Sequence, residues 1–327
     1  MIKAIRARDL KVGMYVLLPT SWFKHPFLKN QFKIGSRKEI QQIIELGLTE
    51  VKIDISKSSM PDEGTAAPEE TAISAPKKWA PEQIVPRELR EAIVDRQMPP
   101  RGKAVIIKEC SLVLMSRLFE DPTARNIQEA RRGISETVDF IISNDEISSH
   151  LISITSHDLY TYTHSVNVGI LALLLAKRLF KGSAVHNLRE LGSGFFLHDL
   201  GKVSIDPNII NKAGKLNDDE IRIMRRHPSE GAKILASAQQ MTDESNIIVL
   251  QHHEREDGTG YPLGLKGPDI HIYARICAIA DVYDALTSER SYKQKLNPLA
   301  ALEMMRDEML NHFQRDMFEN FVFLFRG

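Results

Sequence analysis

The sequence predicts a mainly α protein, in which an all-helical bundle follows a small α/β N-terminal domain. Three observations carry that prediction. From about residue 87 onward apolar residues recur at helical spacing, with no convincing strand-period segment between them. The first 55 residues instead alternate short β-type runs with one helix. A stretch rich in Pro, Ala, Glu, Ser and Thr separates the two patterns. At 327 residues the chain also exceeds the usual size of one domain, so two or more units are expected.

In chain order, the strand candidates are Gly13 to Leu18, Gln31 to Ile34 and Glu50 to Ile55. A helix is expected from Ser36, because Ser36 followed by Glu39 is a capping box and Ile40, Ile43, Ile44 and Leu46 then mark one apolar face. Residues 1–55 thus form a small α/β domain, and 56–86 (SSMPDEGTAAPEETAISAPKKWAP and its flanks) read as a flexible linker with one isolated aromatic, Trp79. Residues 87–150 read as a helical connecting region and 151–327 as the main helical domain. Helical segments are predicted near 103–119, 124–143, 146–156, 164–181, 184–197, 218–226, 229–239, 244–253, 272–288 and 298–311. Asn217 with Glu220 caps the helix at 218, and Pro228 discourages its continuation, so His227 is expected to end it. The aromatic run Met317 to Phe325 is either a last core helix or an interface. No internal repeat or sustained heptad is present, which favours a globular bundle over a solenoid or coiled coil.

Composition narrows the function. Lys plus Arg and Asp plus Glu number 43 each, so nothing in the net charge suggests binding to a nucleic acid polymer or an anionic membrane. An anionic substrate must be gripped locally. Cys110 and Cys277 make no disulfide framework and fit no thiolate–metal spacing, which points to a reducing, cytoplasmic compartment. The longest apolar stretch, Val166 to Ala176, falls short of the roughly 18 to 20 residues that span a bilayer and reads as a buried core helix. The N-terminus has no apolar run or cleavage site of a secretory signal.

The chemistry concentrates in a few places. His198-Asp199 follows the apolar Phe195-Phe196-Leu197 and precedes Leu200-Gly201-Lys202, so an imidazole, a carboxylate and an ammonium sit where a core helix meets a glycine turn. His252-His253 end the apolar run Ile247 to Leu250 and open HHEREDGTGYP, whose Gly258, Gly260 and Pro262 enforce a non-helical loop. Histidine is the commonest metal ligand, and carboxylates suit hard cations and can bridge two of them. His164 opens a long apolar helix. Asp281 lies in the apolar run Tyr273 to Ala280, where a carboxylate needs a partner; an ion is one such partner, and Asp284, one turn on, is the rival ligand.

Together, HDLGK at 198–202, HHEREDGTGYP at 252–262 and the run from Asp281 through DALTSERSYK to Lys293 closely resemble the HD-GYP family of cyclic di-GMP phosphodiesterases, over roughly residue 150 to the end. The stretch DLKVGMYV…SWFKHPF…KIDISK also looks like the small domain of unknown function often found ahead of HD-GYP modules. The resemblance implies an HD-type helical bundle with a centre of two or three divalent ions, most often Fe or Mn. Mapped by motif, one ion falls to His164, His198, Asp199 and Asp281 and the other to Asp199, His227, His252 and His253, with Asp199 bridging. Family members with a third ion carry a glutamate where this chain has Tyr160, so two ions are expected. Imidazole and carboxylate ligands by themselves accept Fe, Mn, Ni or Zn.

The resemblance further implies hydrolysis of cyclic di-GMP, with either linear pGpG or GMP as the end product, by a hydroxide generated between the ions. Asp199 and Lys202 are the expected catalytic residues, with Lys202 on a phosphate oxygen and Arg290 and Lys293 gripping the rest of the dinucleotide. Tyr261 shapes the loop, contributes to substrate binding or belongs to a partner surface. The implied partners are cyclic di-GMP and GGDEF-type or other signalling proteins, with a homodimer as one oligomeric option. Two alternatives stand beside this reading: an HD phosphohydrolase acting on another nucleotide, and a noncatalytic module binding cyclic di-GMP or a partner. Retention of every two-metal ligand favours catalysis. Residues 1–55 carry no cofactor motif, and their role stays open between sensing, oligomerisation and docking.

Overall fold

The computed structural model describes residues 2–18, 31–35, 37–45, 50–58, 78–154, 161–212, 214–288 and 295–325. It divides into two compact units, Met1–Ile73 and Ser74–Gly327.

The first unit is a four-stranded antiparallel sheet of β1 (Ile2–Arg6), β2 (Tyr15–Leu17), β3 (Gln31–Lys33) and β4 (Glu50–Asp54), in the order β1-β4-β2-β3. One helix, α1 (Arg37–Glu45), accompanies it. Val16, Ile34, Ile43, Val51 and Ile53 form its core. The three expected strands are there, each somewhat shorter than its apolar run. β1 is an addition. Its side chains are nearly all exposed at the sheet edge, so the sequence offers no in-out alternation to read. Ser36 and Leu46, expected to cap and continue α1, lie outside the described residues, while the Glu39 carboxylate accepts from the Gly35 N–H at 2.6 Å.

The second unit is helical throughout, as expected. It begins with α2 (Arg87–Val94), α3 (Pro100–Glu120), α4 (Ala124–Ser143), α5 (Asp145–Ser153) and α6 (Thr161–Leu179). Then come α7 (Leu188–Leu197), the short α8 (Pro207–Ile210), α9 (Asp218–Met224), α10 (His227–Ser237) and α11 (Asp243–Gln251). The last are α12 (Ile272–Thr287), α13 (Pro298–Glu308) and α14 (Arg315–Val322). The stretch Val166 to Ala176 of α6 is wholly buried and packs on α3, α7 and α12, which makes α6 the axis of the bundle. Among the described residues no helix is long and apolar enough to cross a membrane.

Several boundaries differ from the sequence reading, each for a local reason. α7 starts at Leu188 rather than near 184, because the Asn187 side chain accepts from the Arg189 and Glu190 N–H groups and caps it there. His227 does not end α9; α9 stops at Met224 and His227 opens α10, where Pro228 is tolerated because first-turn N–H groups have no helical partner anyway. Residues 78–86, assigned by composition to the linker, are packed: Ile84 and Val85 are buried, and the Trp79 indole donates to Glu120 under the Arg117 guanidinium. The polar average of 56–86 hides these three residues. The aromatic run near the end is a core helix, since Met317, Phe318 and Phe321 of α14 are buried and Phe321 meets Tyr283 at 5.3 Å.

Candidate metal centre

Helix ends assemble the site. His198 caps the C-terminus of α7, Asp199 follows it, His227 begins α10, and His252 and His253 follow α11. His164 lies in the first turn of α6, and Asp281 lies within α12. These seven side chains form two donor groups, Asp199 with His227, His252 and His253, and His164 with His198 and Asp281; within each group the donor atoms lie within 4.8 Å of one another.

Asp199 joins the groups. Its Oδ2 lies 3.5 Å from His164 Nε2 and 3.6 Å from His198 Nε2, while its Oδ1 lies 3.2 Å from His227 Nε2 and 3.9 Å from His252 Nε2. Asp281 also has two neighbours, His164 Nε2 at 3.0 Å and His253 Nδ1 at 3.3 Å. The remote ring nitrogens are committed elsewhere. Nδ1 of His198, His227 and His252 faces the carbonyl of Phe195, Met224 and Val249 respectively, at 2.8, 2.8 and 2.9 Å. A carbonyl only accepts, so each Nδ1 carries the proton and each Nε2 presents a lone pair to the centre.

Electrostatics agree with that tautomer. Burial pushes His198 down to about 4 and His227 to about 3, and it lowers His252 and His253 as well, so these rings are neutral at neutral pH. Burial would raise Asp199, yet the Lys202 ammonium and the surrounding imidazoles hold it well below the carboxylate range. Asp281 is held down in the same way by His164 and His253. His164 moves the other way: burial opposes its charge, but hydrogen bonds to Asp281 and Asp284 raise it to about 9.

Two buried atoms at the heart of the cluster, His198 Nε2 and Asp199 Oδ1, have no hydrogen-bond partner. An unsatisfied buried polar atom costs about 1–3 kcal/mol, and a cation accepting lone pairs from both removes that cost. Neutral imidazoles and ionised carboxylates are also the protonation states that ligate divalent metals; His198, His227, His252 and His253 already have them, and His164 would release a proton as a cation binds. The residues therefore fit a metal centre.

Two backbone approaches hold the site together. A Cβ on Gly201 would stand 1.9 Å from the His227 carbonyl oxygen and 2.4 Å from the Gly231 nitrogen, so glycine is what lets the His198-Asp199 corner meet the start of α10. On the other side, a Cβ on Gly260 would lie 2.5 Å from Glu254 Cα. The buried Glu254 carboxylate accepts from the N–H groups of Leu263, Gly264 and Leu265 at 2.7, 3.2 and 2.9 Å and so pins the loop after Tyr261. Tyr261 stacks on His253, with centroids 4.6 Å apart, and the Arg225 guanidinium lies over the tyrosine ring, 5.1 Å from its centroid.

Of the other expected site residues, Lys202 is ion-paired with Asp199 and partly exposed. Arg290, Lys293 and Tyr160 lie outside the described residues. Asp284, read as a rival ligand, instead stands behind His164, 2.7 Å from its Nδ1. Glu254 and Asn167 went unread. Asn167 donates to Asp284 across 117 positions of sequence, at 2.8 Å, and no local pattern announces such a pair. Glu254 was visible only as one carboxylate within HHEREDGTGYP.

A bundle whose helix ends converge on a buried His/Asp cluster defines the class of HD-type, metal-dependent phosphohydrolases. Residues 146–317 match the HD domain family, and 2–144 match a domain of unknown function, DUF3391. The chain belongs to the HD-domain family, in its HD-GYP group. It is 34% identical to a cyclic di-GMP phosphodiesterase of Pseudomonas aeruginosa over 98% of this chain and 76% of that protein. A 3'3'-cGAMP-specific phosphodiesterase of Vibrio cholerae is 42% identical over 38% of this chain and 24% of its own length. The fold matches that of an HD-GYP-type protein from Bdellovibrio bacteriovorus with a TM-score of 0.61 over the whole of both chains, at 17% identity.

Proposed function

We propose that this chain hydrolyses cyclic di-GMP to linear pGpG at a centre of two divalent ions, Fe or Mn. His164, His198, Asp199 and Asp281 would hold one ion, and Asp199, His227, His252 and His253 the other. The observation that carries the reading is the Asp199 carboxylate, whose two oxygens face separate imidazole sets. Ions bound there supply Lewis acidity, polarising water and the phosphoryl oxygens.

The chain's own groups do the rest. Lys202, beside Asp199 and partly exposed, would take a phosphate oxygen as substrate enters. The carbonyls behind His198, His227 and His252 keep their Nε2 lone pairs aimed inward, so no reorientation is needed when the site fills. Tyr261, stacked on His253 and in contact with Arg225, would steady the ring of His253 and contribute to substrate binding. Arg290 and Lys293, taken from the family motif, grip the rest of the dinucleotide. The reading carries with it a cytoplasmic location, GGDEF-type or other signalling partners, and a homodimer as the oligomeric state to test.

Product analysis with metal-loaded protein under reducing conditions tests it. Wild type is expected to yield pGpG, while His198→Ala and Asp199→Ala yield none. Metal-bound wild type that leaves cyclic di-GMP intact, or variants that cleave like wild type, would overturn the proposal. The cGAMP-specific relative favours a second reading, a hybrid cyclic dinucleotide as substrate, and a competition assay with both dinucleotides decides between them.

A further inference from the structure

The two halves of the centre are built differently behind their ligands. His227 and His252, and His198 in the other half, rest on backbone carbonyls, which are neutral. His164 rests on a carboxylate: its Nδ1 lies 2.7 Å from Asp284 Oδ2. Asp284 is itself buried and fixed, its Oδ1 accepting from Asn167 Nδ2 at 2.8 Å and its Oδ2 from Ser288 Oγ at 3.1 Å. An imidazole whose remote N–H meets a carboxylate is a more basic ligand than one whose N–H meets a carbonyl.

Charge differs in the same sense. Asp199 is common to both halves, and Lys202 pairs with its Oδ2, the oxygen that faces His164 and His198, so the ammonium offsets Asp199 on that side and the difference between the halves rests on the further carboxylates. The His164 half adds Asp281, with Oδ1 at 3.0 Å from His164 and only its second oxygen turned to His253. It adds Asp284 behind the ring. The other half adds three imidazoles and no carboxylate of its own. A divalent cation is therefore drawn more strongly to the first half, and carboxylate-rich positions suit harder ions than imidazole-rich ones.

We infer that the two metal positions are unequal, that the position held by His164, His198 and Asp281 fills first and more tightly, and that Asp284 is the positioning residue that makes it so. This rests on the two-ion reading above. Without the Asp284 charge, His164 loses the acceptor that orients its Nδ1 and keeps only Asp281, and the tighter position loses the basicity that Asp284 lends its ligand.

Titration of metal-free protein with Mn(II), followed by calorimetry and by the EPR signal of free Mn(II), tests the inference without any activity assay. Wild type is expected to bind in two resolved steps. Asp284→Asn keeps the shape of the residue but not its charge, and it should weaken the tighter step by roughly 10- to 100-fold while the weaker step stays put. His227→Ala should remove the weaker step and leave the tighter one. Should Asp284→Asn fail to fold, judged by its thermal melt, Ser288→Ala strips one hydrogen bond from the same carboxylate oxygen and must weaken the same step. Equal constants in wild type, an unchanged tighter step in the folded Asp284→Asn protein (or, where that fails to fold, in Ser288→Ala), or loss of the tighter step in His227→Ala would each sink the inference alone. Wild type that takes up no Mn(II) would sink the two-ion reading with it.

Discussion

The corner at His198-Asp199 and the loop through Tyr261 hold the same cluster by opposite means. At the corner, backbone meets backbone: Gly201 lies so close to the His227 carbonyl and the Gly231 nitrogen that no side chain fits. In the loop, one buried carboxylate, Glu254, gathers three N–H groups, and a stacked tyrosine passes that order on to His253. The first arrangement is rigid because space is exhausted. The second is rigid because polar groups are satisfied, and it can loosen by degrees.

The largest effect should therefore come from the corner. Gly201→Ala forces α10 away from the corner, and with it His227 away from Asp199. Overpacking of this kind costs about 1–3 kcal/mol, and the upper end applies because both partners are backbone. We expect a melting temperature lowered by several degrees together with loss of the metal held by His227, read by calorimetry and metal analysis. Gly201→Ala protein with wild-type metal content would show that the corner tolerates more than its geometry implies.

Glu254→Ala probes the loop and should do less. It leaves the N–H groups of Leu263, Gly264 and Leu265 without their acceptor, although water can reach the exposed Leu263. The stability cost expected is about 1–3 kcal/mol. Because Glu254 supports a ligand without being one, kcat should fall about 10- to 100-fold while the protein still binds metal. A variant that loses all metal would mean that the loop, like the corner, fails all at once.

How much of this was legible follows from where each signal lies in the chain. The mainly helical architecture and the small sheet domain ahead of it were readable because periodicity is local. The seven metal candidates were legible as residue types in recognisable strings, most of them at helix ends, and the structure gathers them into two donor groups, Asp199 with His227, His252 and His253, and His164 with His198 and Asp281. The pairing of Asp284 with His164 was not legible because the two are 120 positions apart, and sequence spacing sees only the neighbouring turn of its own helix. Glu254 was missed because its task is to satisfy backbone groups of a loop whose path no pattern reveals. His227 was placed at the wrong end of a helix because Pro228 signals a boundary without saying on which side the next helix begins.

The smallest effect separates the two halves of the centre by pH in the metal-free protein. His198, at about 4, and His227, at about 3, take up protons in the unfolded chain near pH 6.5 but not in the folded one until much lower, so stability falls as pH drops below ~6.5. His164, raised to about 9 by Asp281 and Asp284, does the reverse. Its contribution is fully present below ~6.5 and is lost as pH rises toward its folded value. Thermal melts across this range should peak near neutrality, with an acid limb belonging to the buried imidazoles and a shallower alkaline limb belonging to His164. Asp284→Asn should shrink the alkaline limb, with Asp281 keeping the remainder, and leave the acid one. An alkaline limb of wild-type size in that variant would mean that Asp281 alone sets the charge of His164.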